Sequence, residues 1–119
     1  MTVNEAIMAA DELRPNSFDE DVKTRWLSEL DGKISLEIYK ADKAVKYECS
    51  ADENTTLLVP EPHSSIYPLY LAAMIDFYNK DTESYENTLL MFNSEYDIFA
   101  KWYQRNNMPP DPGGFKNFL

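Results

Sequence analysis

Cysteine is nearly missing from this chain of 119 residues: Cys49 stands alone, so no disulfide can form within it. Nothing in the sequence requires an oxidising compartment. Histidine is as scarce. The single His63 sits beside Pro62, with no cysteine or second histidine at metal-ligand spacing, and it reads as structural. Glycine numbers three, and two of these, Gly113 and Gly114, lie near the end, which leaves Gly32 as the only one before them. All-β domains built from many short strands need more turn glycines than this, so the shortage points to helices. It also excludes a glycine-rich phosphate loop, and no Asp-rich calcium loop with its central glycine is present, although Ser50 to Thr56 is acidic. Long apolar runs are missing too. The longest, Ile66 to Ile75, is too short to span a bilayer and contains Pro68 and two tyrosines. Met1-Thr2-Val3-Asn4-Glu5 has no basic stretch followed by an apolar one, so no signal peptide is expected.

Basic side chains are outnumbered, 11 Lys and Arg against 21 Asp and Glu, for a net charge of -10. Such a surface repels the phosphate backbone and makes free nucleic acid a poor partner. It keeps the chain soluble, or faces DNA without binding it, or docks on a basic partner. What the chain has in quantity is aromatic rings: eight Tyr, six Phe and two Trp, enough area to build a dense core in one small domain.

Thr2 and Glu5 have capping-box spacing, and Val3, Ala6, Ile7, Ala10 and Leu13 form one apolar stripe. A first helix is expected to end near Leu13, because Arg14 precedes Pro15. Ser17 and Glu20 repeat the capping spacing. A second helix then carries Val22, Trp26, Leu30, Ile34 and Ile38, broadened by Leu27, to about Tyr39. Gly32 inside it costs up to about 1 kcal/mol relative to Ala, so either another backbone approaches there or the helix bends. From Lys40 to Ser65 the pattern changes. Val45 to Cys49 and Thr55 to Val59 can each be a short strand of a hairpin, before Pro60 and Pro62 break the chain. Ser64 or Ser65 is placed to cap a third helix that is apolar on nearly every face, with Asp76 the main charged exception. Asp81 or Thr82 caps a fourth. There Tyr85, Leu89, Phe92, Tyr96, Phe99 and Tyr103 make a heptad-like seam, with Leu90, Met91, Ile98 and Trp102 off it. This helix ends near Asn106 or Asn107.

The expected fold class is all-α: a small four-helix bundle with a long loop between the second and third helices. Residues 1–107 form the helical domain and residues 108–119 a Pro/Gly-rich tail. Phe115, Phe118 and Leu119 suit either a tail folded on its own core or a docking peptide for a neighbour. No nucleophile, acid–base pair, cofactor box or metal set is announced. The acids sit in first helix turns and on polar helix faces, where solvation explains them, so no enzymatic activity is expected.

Leu13-Arg14-Pro15-Asn16, then Lys23-Thr24-Arg25-Trp26-Leu27-Ser28-Glu29-Leu30-Asp31-Gly32, then Leu57-Leu58-Val59-Pro60 and the Tyr67-to-Asp76 segment before a long aromatic helix, resemble head–tail connector (adaptor) proteins of phages and prophages of Gram-positive bacteria. The resemblance runs from about residue 1 to 105. It implies a virion protein made in the bacterial host cytoplasm, which forms a ring beneath the portal and extends the channel through which DNA passes without specific binding. Its partners would be the portal protein, a tail-side stopper or completion protein and further copies of itself, with no membrane. The loop and tail would then be contact segments, ordered on assembly. The residues expected at the assembly interface, from pattern and expected exposure, are Lys40, Lys43, Lys46, Leu57, Leu58, Val59, Trp102, Phe115 and Phe118. The other reading is a stand-alone acidic module that binds or regulates one protein partner.

Overall fold

The computed structural model describes residues 1–107. Four helices make up the fold: α1 (Val3–Leu13), α2 (Glu20–Lys33), α3 (Ile66–Tyr78) and α4 (Thr82–Asn107). The all-α class and the long loop between the second and third helices are as the sequence indicates. The capping box of α1 is complete. Glu5 N–H donates to Thr2 Oγ1, and Thr2 N–H donates to Glu5 Oε1. The second expected cap is not made: α2 starts at Glu20 with Asp19 as its N-cap and no side-chain capping bond. Ser17 is displaced because Asn16 organises this corner, accepting Phe18 N–H at 3.0 Å and donating to Asp11.

α2 runs into a single π-helical turn, Ile34–Ile38, in which Tyr39 N–H reaches back to Ile34 O. Ser35 marks the switch. Its hydroxyl donates to Gly32 O and accepts from Val45 N–H, so the loop is stitched onto the helix where the helix widens. Gly32 faces that loop, and a Cβ placed on it would lie 3.4 Å from Val45 O. Both alternatives for Gly32 are therefore partly realised: a backbone passes close by, and the helical pitch changes within two residues.

α3 is the central element, packed on α4 along most of its length and on α1 and α2 on its other sides. This follows from its composition, since a helix apolar all round must be covered all round. Neither Ser64 nor Ser65 caps it with a side chain. The chain enters through backbone turns, with Tyr67 N–H on Ser64 O and Leu69 N–H on Ser65 O. Asp81 caps α4 through Ser84 N–H, and Lys80, at φ 60°, makes the turn between the two helices. The seam of α4 points inward as expected: Phe92 and Phe99 are buried, and Leu89, Tyr96 and Tyr103 pack against the core.

The expected hairpin does not form. Among the described residues the only β pairing is an isolated antiparallel bridge between Thr2 and Thr56. Each candidate strand has other backbone partners. Val45 N–H binds the Ser35 hydroxyl in the π-helical turn, and Tyr47 N–H the Ser28 hydroxyl on α2. Thr55 O and Leu57 N–H pair with the chain at Val3 and Met1. A buried donor or acceptor satisfied elsewhere is no longer available for a ladder.

Candidate functional site

Three of the expected interface residues form part of the core or of its hydrogen bonding. Leu57 is 3% exposed and Val59 0%, so both pack into the core of this chain, and Leu58 is half-buried with its N–H on Asp31. Trp102 is half-buried, with its ring 4.8 Å from that of His63 and 6.4 Å from that of Phe99. His63 therefore has a packing role on the inner side of α4. Lys40, Lys43 and Lys46 are all exposed. Phe115 and Phe118 lie outside the described residues.

The loop that carries these residues is bound to the fold by one carboxylate. Asp31 on α2 is fully buried, and three donors converge on it. The hydroxyls of Tyr47 and Tyr67 donate at 2.5 and 2.6 Å, and Leu58 N–H at 3.0 Å. The Tyr67 hydroxyl in turn accepts Val59 N–H at 2.8 Å. Burial pushes the Asp31 carboxyl above its ordinary pKa, and the three hydrogen bonds pull the other way. Burial beside this carboxylate also raises the tyrosine hydroxyls, so both remain donors. The arrangement clasps the loop to α2.

A second clasp closes α1 on α3 and α4. Arg14 Nε donates to both oxygens of Asp76, at 2.9 and 3.1 Å, and its Nη2 donates to Thr88 at 2.9 Å. A third lies at the α1–α2 corner, where buried Lys23 donates to Asp11 at 2.8 Å and to Asn16. In the sequence, Asp76 stands out only as the charged exception on α3, and Lys23 and Asp31 only as members of the resembling segment. The signal was there, since a charged residue inside an apolar stripe must find a partner or forfeit several kcal/mol.

Among the described residues, two concave surfaces are docking candidates. The first is a groove of about 590 Å³ between α2 and the loop, with Arg25, Lys33 and Lys46 around an apolar floor of Leu36, Val45 and Tyr70. It gathers three of the chain's few cations and includes Glu29 as its one acid. Lys40 and Lys43 stand outside it. The second is a cleft of about 630 Å³ at the α3–α4 turn. Phe77 and Tyr85, 5.3 Å apart, line it beside Tyr78, and Asp81, Glu86 and Lys80 supply its charges. Tyr78 also stacks on Trp26 at 5.5 Å, so this aromatic edge is held rigid from beneath.

Among the described residues no group of three or more His, Cys, Asp or Glu is placed to hold a metal ion, and no helix is long and apolar enough to cross a membrane. The Asp21 carboxylate beside Cys49 holds the thiol above its ordinary pKa, which disfavours the nucleophilic thiolate. What the geometry offers is shaped surface: a basic groove with an apolar floor, and an aromatic cleft of mainly acidic rim. Comparison with models of known families, with curated proteins and with solved structures finds no match for this chain.

Proposed function

We propose that this chain is a non-catalytic assembly adaptor that works by docking on other protein subunits, as a head–tail connector does between the portal and the tail-side components of a phage particle. The observation that carries the docking reading is the division of its surface. The basic groove at Arg25, Lys33 and Lys46 and the acidic-rimmed aromatic cleft at Phe77, Tyr78 and Tyr85 share no residue. Each combines apolar area with charge, the composition of a specific protein interface. Two different surfaces of opposite sign on one chain suit head-to-tail contacts, which close into a ring when the rotation allows. The net charge of -10 suits a subunit near DNA that must slide past rather than stick. The virion setting rests on the sequence resemblance.

Mass spectrometry of purified particles tests the setting, and copurification with the portal protein tests the docking. The expected results are a chain present in the particle and an association weakened about tenfold by Lys33→Glu with Lys46→Glu. A chain absent from particles that captures one other protein as a monomer would support the stand-alone module instead.

A further inference from the structure

The solvent face of α4 is complementary to itself when reversed. At 100° per residue, Glu83, Leu90, Ser94, Ile98 and Arg105 lie within about 40° of one line along the helix. All five are exposed, although Leu90 and Ile98 are apolar and 69% and 49% exposed. Ser94 is the midpoint: Glu83 and Arg105 are eleven residues to either side of it, Leu90 and Ile98 four. Met91, 57% exposed, widens the apolar patch. This patch is not the inward seam, which is occupied by Phe92 and Phe99.

We propose that α4 pairs with α4 of a second copy, antiparallel, about a two-fold axis at Ser94. In that register Glu83 of each copy faces Arg105 of the other, Leu90 faces Ile98, and Asn87 faces Lys101. The small serines meet at the axis, where the helices come closest. A parallel pairing would set Glu83 on Glu83 and Arg105 on Arg105, so charge selects the antiparallel one. The contact is about 33 Å long, from the rise of the helix. One helix pair buries less than the roughly 1,600 Å² of a standard interface, so the dimer is reversible and forms at about micromolar concentration. A two-fold contact closes on itself and does not propagate into a ring, so the pairing is independent of the adaptor reading. Either can fail without the other.

Sedimentation equilibrium of the full chain over a hundredfold range of about micromolar concentrations tests it. The expected result is a monomer–dimer equilibrium that weakens with added salt. Ile98→Glu, at an exposed position that leaves the fold intact by circular dichroism, is expected to abolish the dimer. Glu83→Arg and Arg105→Glu each place like charges together twice and are expected to weaken it about tenfold, and combining them restores it. In a Cys49→Ala background, Ser94→Cys is expected to oxidise to a covalent dimer, and Glu86→Cys, about 80° round the helix, is not. A monomer at every concentration, a dimer indifferent to Ile98→Glu, or a double charge reversal that fails to restore pairing would each overturn the proposal.

Discussion

The Tyr67 hydroxyl donates to Asp31 at 2.6 Å across 36 residues of sequence, and that bond joins the central helix to the helix against which the long loop is folded. Because the same carboxylate accepts from Tyr47 and Leu58, it sets the path of the loop at several points at once.

Replacing Asp31 should therefore cost more than any single bond. Asp31→Asn leaves one acceptor oxygen for three donors and is expected to lower stability by about 1–3 kcal/mol. Asp31→Ala is expected to lower it by about 3–5 kcal/mol, and Tyr67→Phe, which also orphans Val59 N–H, by about 1–2 kcal/mol. Urea denaturation of the single and double variants measures this. A Tyr67–Asp31 coupling energy near zero would contradict the shared clasp.

The same group sets the pH response. Burial raises the Asp31 carboxyl from 3.8, so the native state holds a proton there at a pH where the unfolded chain has lost it. This contribution to stability is full below 3.8 and is lost as pH rises through the native value. The tyrosines repeat the effect in alkali: burial pushes Tyr39 from 10.0 up to about 12, and Tyr47 and Tyr67 also shift upward. Their contribution is full below pH 10 and is lost above it. Denaturation midpoints should fall steadily from pH 10, with the phenolate absorbance of Tyr47 and Tyr67 appearing only as the protein unfolds. Normal titration of all eight tyrosines in the folded state would contradict this.

Arg14 and Asp76 should act as a unit. The Asp76 side chain is 4% exposed and that of Arg14 36%. Arg14→Ala strands a buried carboxylate with only Thr88 as partner and is expected to cost about 2–4 kcal/mol. Arg14→Lys keeps the charge but loses the forked contact to Asp76 and Thr88, for about 1–2 kcal/mol. Thermal unfolding of these variants alongside Thr88→Val measures the order of effects.

Gly32→Ala is expected to stabilise. The new Cβ would meet Val45 O at 3.4 Å and Ala44 Cβ at 3.5 Å, ordinary contact distances, and the helix gains about 0.5–1 kcal/mol of intrinsic preference. A rise in Tm of about 2–6 °C is the expected reading. Gly32→Leu, with three more carbons against the loop backbone, is expected to destabilise.

The boundaries of α1 and α4, the inward seam of α4 and the burial of α3 were legible from spacing alone. The hairpin was misread for a physical reason. Val45–Cys49 and Thr55–Val59 have strand-like composition, but strand composition reports only a fit to a half-buried surface. Here that surface is α2 and the start of α1. Leu57 and Val59 are expected at an interface from pattern and exposure, since a Pro-bounded loop of this length is usually a surface feature; at 3% and 0% exposed, these two side chains belong to the core instead. Lys46 was singled out as basic, but Arg25 and Lys33 on α2 were not, since nothing local says that a helix and a later loop share one groove.

What the sequence by itself determined is therefore what short-range physics controls: where helices start, which face each one hides and where proline stops it. Tertiary structure decided the rest. The loop path, the clasp at Asp31 and the Arg14–Asp76 pair depend on partners 10 to 62 residues apart. For those contacts the energy comes from desolvating a charge and then satisfying it, and only the folded chain brings the partners within reach.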